Sequence, residues 1–249
     1  MPVDIIVPVW NHWAWTEKCL AALREHTDRD AYRLMLIDNG SDEDTAARLR
    51  RSIEAPDILV RWPVNQGFIK AANYGFSHTD GDVILLNNDC IVRHGWLDPL
   101  LTANADMVSP VNNKSKTLQN VAHIREHLCD PDIPPVKNED RKCDDYMRKH
   151  YGGVVLNAKK LAFFCVLIKR HVIDAVGLLD EAFGLGECDD RDYCIRVEEA
   201  GMTMGVALDS VVFHEGHVSF WDIPLCERFR GMNIKVLKEK YPDYDWKAM

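Results

Sequence analysis

The sequence predicts an α/β domain with a mostly parallel sheet flanked by helices, on three observations. Short β-branched runs alternate with segments of helical periodicity. The runs are apolar at consecutive positions, as in strands covered on both faces. Polar clusters stand where the runs end, the place where open α/β sheets display their ligand loops.

Taken in order, "VDIIVPVW" is the first strand and "TEKCLAALREHT" a helix, with Cys19, Leu20 and Leu23 at helical spacing and Thr16 placed to cap it. "YRLMLIDNG" is a second strand ending in turn residues. "SDEDTAARLRRSI" opens with a Ser and acids suited to a helix N-terminus, and "ILVRWPV" is strand-like again. "QGFIKAANYGFSHT" is helical apart from its glycines, and "DVILLNND" sets an apolar run directly against a polar cluster. The strand ends therefore carry Trp10-Asn11, Asp38-Asn39-Gly40 and Asn87-Asn88-Asp89. Turn chemistry accounts for any one of these clusters. Their coincidence at three strand ends points to one converging site.

Composition narrows the partners. The 249 residues carry 39 acidic and 30 basic side chains, a formal charge of -9. Such a surface is not built to neutralise nucleic-acid phosphates or anionic lipid. No apolar run approaches the roughly 20 residues that cross a bilayer. The start lacks the order of a signal peptide, so the chain reads as cytoplasmic. The eight cysteines include no Cys-x-x-Cys pair and read as reduced, structural thiols. Neither a Gly-x-Gly-x-x-Gly nor a P-loop motif is present. A divalent cation held by hard oxygen ligands is the natural substitute for gripping a diphosphate, with Asp89 as its ligand.

In the order "VDIIVPVWN", "LIDNGSDEDT", "NQGFIKAANYGF", "VILLNND", "LAFFCVLIKRHVIDAVGLLDEAFGLGECDDRDYCIRVEEAGM" and "VVFHEGHVSF", the chain resembles the family 2 glycosyltransferases of the GT-A fold. The likeness runs from residue 3 to about 240. It implies a single GT-A domain over 1–249: a nucleotide-sugar half at 1–111, a variable excursion at 112–157, and an acceptor and catalytic half with a C-terminal helix at 158–249. It also implies inverting transfer of a monosaccharide from a UDP-, dTDP- or GDP-sugar, with Mn2+ or Mg2+, to a glycan, lipid-linked or other hydroxyl acceptor.

Residue by residue, the resemblance matches Asp38 to the acid that bonds the donor's base, with Pro8, Val9 and Asn11 lining the same pocket. Asn65, Gly67 and Asn73 match the segment closing over nucleoside and ribose, with Lys70 near the phosphates. Asn87, Asn88 and Asp89 match the Asp-x-Asp signature, with Asn in place of its first acid. Asp89 is the expected metal ligand. Asp189 and Asp190 match a Glu-Asp pair whose second member is the catalytic base. His214 matches a histidine joining the metal or diphosphate, and His217 is a second choice.

The bland readings stand beside these. An acidic cluster at a helix N-terminus is favoured by the helix dipole anyway, and a lone histidine is more often structural. Arg196 reads as an ion-pair partner. The stretch from 112 to 157, polar and proline-containing, reads as a long, partly mobile excursion, or in a functional version as an acceptor-side lid. The tail "LCERFRGMNIKVLKEKYPDYDW" reads as a terminal helix with Phe229, Met232, Ile234 and Leu237 inward and a basic outer face that admits peripheral contact with a membrane. Two other functions stay open: a sugar nucleotidyltransferase, which would want a basic, glycine-rich loop after the first strand, and a nucleotide-sugar or glycan binding module that has lost its chemistry at Asn87.

Overall fold

A computed structural model describes residues 2–138, 140–216 and 226–244. The first strands obey a period of two on both faces. Ile5 and Val7 of β1 (Val3–Val9), Leu34 and Leu36 of β2 (Tyr32–Asn39), and Ile84 and Leu86 of β4 (Val83–Leu86) pack on one side. Ile6, Met35, Ile37, Val83 and Leu85 pack on the other. Both faces of these strands meet a core along most of their length, so the sequence there carries no regular polar alternation.

Helices cover each face. On the first lie α1 (Trp13–His26) and α4 (Leu97–Thr102); on the second lie α3 (Phe68–Ser77), α7 (Arg170–Val176) and α8 (Asp189–Glu199). Gly75 within α3 is a close-approach residue, because a Cβ there would stand 2.5 Å from Ile6 Cδ1. Helix α2 (Glu43–Ser52) begins as its acids foretell, with Asp42 accepting from Thr45 N at 2.7 Å. Thr16, expected to cap α1, is instead fully buried inside it. The chain enters α1 through Asn11 and His12, both at positive φ, and Thr16 Oγ1 accepts from Asn88 Nδ2 at 2.9 Å.

The remaining strands are β3 (Ile58–Trp62), β5 (Cys90–Ile91), β6 (Met107–Val111), β7 (Val155–Asn157), β8 (Cys165–Ile168), β9 (Met204–Val211) and β10 (Phe213–His214). The main sheet runs β3-β2-β1-β4-β8-β6-β9-β7. Pairing is parallel from β3 to β4 and between β6 and β9, while β8 is antiparallel to both its neighbours and β7 to β9. β5 and β10 form a separate two-stranded ribbon that aligns His214 with Cys90.

The stretch from 112 to 157 is not a loose excursion. It carries α5 (Val121–Leu128) and α6 (Lys142–Tyr151), and buries Ile124, Ile133, Val136, Cys143 and Met147. Its polar character conceals a buried ion pair: Arg93 Nη1 meets Asp144 Oδ1 at 2.8 Å, with both side chains nearly inaccessible. The same guanidinium donates to the carbonyls of Lys137 and Asp140, pinning the turn before α6.

In the tail, α9 (Cys226–Lys240) turns Asn233 and Leu237 inward, half-buries Ile234 and leaves Met232 exposed. Among the described residues no helix is long and apolar enough to cross a membrane. Cys19, Cys90, Cys143, Cys165, Cys188 and Cys194 are buried free thiols and Cys129 an exposed one.

Candidate active site

A cavity of about 350 Å³ opens where the strands end. Pro8, Val9, Asn65, Gly67, Asn87, Asn88, Asp89, Asp189, Asp190 and His214, all singled out from sequence, line it. His217 lies outside the described residues.

Four other expected residues lie outside its lining. Asn11 bridges to the next strand's turn, accepting from Asp42 N and donating its own N–H to Ser41 Oγ, each at 2.9 Å. Asp38 is buried, with Oδ1 taking Ser41 N at 2.9 Å and Oδ2 facing Arg61 at 3.6 Å, and the cavity-lining residue at that strand end is Asn39. Asn73 grips Leu179 through both its N–H and its carbonyl, at 2.9 Å each. Lys70 points to Glu181 at 4.0 Å.

Asn39 and Asn65 build one wall together. Asn39 Nδ2 donates to Asn65 Oδ1 at 2.9 Å, and that oxygen also accepts Gly67 N at 2.8 Å. Gly67, at φ 92, is the entry to α3, and its Cα lies so close to the Leu185 loop that a Cβ would sit 2.7 Å from Leu185 Cα.

Asp89 is buried at the mouth of β4. Its Oδ2 accepts Gly216 N at 3.0 Å, and its Oδ1 lies 3.3 Å from His214 Nε2, off the line of a hydrogen bond. That imidazole nitrogen is buried with no hydrogen-bond partner among the described residues. Burial pushes the Asp89 carboxyl up, but His214 and the Gly216 N–H outweigh it and hold it below its ordinary value. A carboxylate oxygen and an orphaned imidazole nitrogen facing one cavity form a donor set that fits a divalent cation. The Cys90 sulfur lies within 4.8 Å of both ligand atoms, but it donates to Phe164 O and lies outside the cavity lining.

The second acidic group comes from the start of α8, entered through Glu187 and Cys188 at φ 71 each. Asn233 of α9 holds that entry, with Nδ2 donating to the carbonyls of Phe183, Gly186 and Glu187 at 2.8, 2.7 and 3.0 Å. Burial first and the Asp190 charge second push the Asp189 carboxyl up to about 8. Burial raises Asp190 as well, while Lys160 and Arg191 oppose the rise. Asp192, grouped with these two in sequence, is fully buried elsewhere: it takes Arg196 Nε at 2.8 Å, Lys240 Nζ at 2.6 Å and Tyr241 OH at 2.8 Å. Arg196 is thus the ion-pair partner expected of it.

The family model "Glycosyl transferase family 2" matches residues 4–132. The chain belongs to this family. A relative, the undecaprenyl-phosphate 4-deoxy-4-formamido-L-arabinose transferase of Sodalis glossinidius (strain morsitans), is 26% identical over 189 residues, 70% of this chain and 51% of its own length. Glycosyltransferase AglE of Haloferax volcanii is 32% identical over 101 residues, 39% of this chain and 33% of its own. The chain thus spans about half or less of the length of these curated relatives. A solved structure described as "Crystal structure of GalNAc-T7 with UDP, GalNAc and Mn2+" superposes with a TM-score of 0.70 at 15% identity, covering 98% of this chain and 49% of that one. The GT-A fold expected of a family 2 glycosyltransferase is the fold observed.

Sequence reasoning missed the cations of this cavity. Lys114, Lys116, Lys160, Arg191 and Arg230 line it beside four acids, in a chain of net charge -9. Only the fold gathers them, from four separate segments. Asn233 was hidden too, as a single polar residue in an otherwise plausible apolar stripe.

Proposed function

We propose that this chain is an inverting glycosyltransferase that moves a monosaccharide from a nucleoside diphosphate sugar to an acceptor hydroxyl with a divalent metal, Mn2+ or Mg2+. The observation that carries the reading is the meeting, in one cavity, of the Asp89–His214 pair with the Asp189–Asp190 pair. Sugar transfer with inversion needs both a group to settle the departing diphosphate and a base for the incoming hydroxyl. The bound nucleotide and Mn2+ named for the GalNAc-T7 structure accord with such a donor and metal.

Asp89 and His214 would hold the cation, whose charge offsets that developing on the leaving diphosphate. Lys114 and Lys116 add positive charge at the cavity wall. Pro8, Val9, Asn65, Gly67, Asn87 and Asn88 would line the donor's nucleoside and phosphate path. Asn11, Asp38 and Asn73 hold those walls, and Lys70 stays with Glu181. Asp190 takes the acceptor proton. Its Oδ1 already accepts Arg191 N at 2.8 Å, leaving Oδ2 for the transfer.

Two neighbouring carboxyls with different surroundings divide the work. Asp189, 4% exposed and raised to about 8, stays protonated at neutral pH. Burial raises Asp190 too, but Lys160 and Arg191 oppose that rise and favour its carboxylate form over that of Asp189. A protonated Asp189 also spares Asp190 a like-charged neighbour.

The test is Asp190→Asn beside Asp89→Ala, with a panel of nucleoside diphosphates and their sugars, each with and without Mn2+. Asp190→Asn should lose transfer while keeping metal-dependent thermal stabilisation by the donor, and Asp89→Ala should lose that stabilisation. Near-normal turnover by Asp190→Asn would overturn the assignment. Metal-dependent donor binding by wild type with neither transfer nor donor hydrolysis would favour the binding-module reading, and no binding by a folded wild-type chain would overturn the donor site.

A further inference from the structure

His214 has no long strand to steady it, since β10 is two residues long. Its main chain is instead held by one side chain from the far end of β6. Asn113 Oδ1 accepts His214 N at 2.9 Å and Asn113 Nδ2 donates to His214 O at 3.0 Å, so a single carboxamide satisfies both backbone groups as a neighbouring strand would. The next residue extends the grip. Lys114 Nζ donates to Glu215 O, and its aliphatic stem lies over Gly216, where a Cβ would stand 2.9 Å from Lys114 Cδ. Gly216 N is the group that donates to Asp89 Oδ2.

Asn113 is itself fixed. Asn112, fully buried, accepts Lys114 N and Ser115 N on Oδ1 at 2.9 and 3.0 Å and donates its own N–H to Gln119 O at 2.7 Å. The turn carrying Asn113 is therefore set from within, and the carboxamide transmits that position to His214.

We propose that Asn113 is a positioning residue for His214, holding its main chain so that the imidazole nitrogen faces Asp89 and the cavity at metal-binding distance. The inference rests on the reading of Asp89 and His214 as the metal-holding pair. Groups that orient a ligand without touching the ion commonly contribute 10–100-fold in metal affinity.

The test is direct Mn2+ binding by electron paramagnetic resonance of free ion, with and without UDP, on wild type, Asn113→Ala and Asn113→Ser. Asp106→Ala is the control. It removes three hydrogen bonds, from Thr203 N, Thr203 Oγ1 and His171, just before β6 at the opposite end of that strand. The Asn113 variants should raise the Mn2+ dissociation constant roughly 10-fold or more. Asp106→Ala should lower the thermal midpoint and leave the constant within about twofold of wild type. Asn113→Ser, which keeps a polar group and the smaller loss of packing, carries the test if Asn113→Ala does not fold. An unmoved constant in a folded Asn113 variant, with normal wild-type binding, overturns the inference alone. A wild-type chain that binds no Mn2+, with or without UDP, overturns the metal reading and the inference with it.

Discussion

Replacing Asp192 by Asn should weaken the fold rather than the chemistry, although Asp192 stands two residues from the proposed base. The carboxylate is fully buried. It accepts three charge-assisted or hydroxyl hydrogen bonds, from Arg196 at 2.8 Å, Lys240 at 2.6 Å and Tyr241 at 2.8 Å. An amide of the same shape keeps an acceptor for Arg196 but turns an N–H2 toward the Lys240 and Tyr241 donors. Removing one member of a buried ion pair costs about 3–5 kcal/mol. Arg196 keeps the Val176 and Leu178 carbonyls and Lys240 keeps Asp180, so the lower end, about 3 kcal/mol, applies here. For a chain of this size that is a fall of roughly 6–12 °C in thermal midpoint. Urea unfolding followed by tryptophan fluorescence measures the free energy, and UDP binding with Mn2+ on the folded variant checks the site. A loss under about 1 kcal/mol would refute the argument that this network ties α9 to α8.

Two further outcomes follow from the same geometry. Asp189, an acid raised to about 8 in the folded chain, binds a proton there that the unfolded chain has released, so stability falls as pH climbs from near 4 toward 8. Asp189→Asn should flatten that fall, by up to about 1.4 kcal/mol per pH unit, in denaturation curves taken across the range; an unaltered slope would count against a protonated Asp189. Gly67→Ala asks a side chain to adopt φ 92 with its Cβ 2.7 Å from Leu185 Cα, so the loop before α8 must move. We expect a lower thermal midpoint, at least the roughly 1–2 kcal/mol of left-handed strain, together with weaker UDP binding in calorimetry; retention of both would mean the loop yields freely.

How far the fold could be read ahead depended on whether the physics was local. The first strands and their crossover helices were legible because β1, β2 and β4 are buried on both faces and α2 signals its own start through Asp42, while the start of α1, which no side chain caps, was misread at Thr16. The antiparallel β8 between β4 and β6 was not, since a strand's direction in a sheet leaves no mark on its own hydrophobic pattern. The 112–157 stretch misled because its stabilising element, Arg93 with Asp144, looks from the sequence like two ordinary surface charges. In the site, the strand-end residues that line the cavity were found by position. Asn73 and Asp38 show the limit: the same carboxamide or carboxylate can face a ligand or tie down a loop, and only the fold decides. The three neighbouring acids of α8 diverge for the same reason, Asp192 turning into the helix interface while Asp190 opens to the cavity.

The ribbon of β5 and β10 also has a consequence for how the protein is made. Asp89 acquires its Gly216 partner across 127 positions of chain. At a synthesis rate of roughly 5–20 residues per second, Asp89 leaves the ribosome about 6–25 s ahead of the turn that completes it. During that interval the nascent polypeptide can pair its leading strands but has no finished pocket at their ends. The cavity is completed late, first by the segment that brings His214 and then by Arg230 and Asn233 of α9, and a truncated translation product carries the family's opening motifs without those walls.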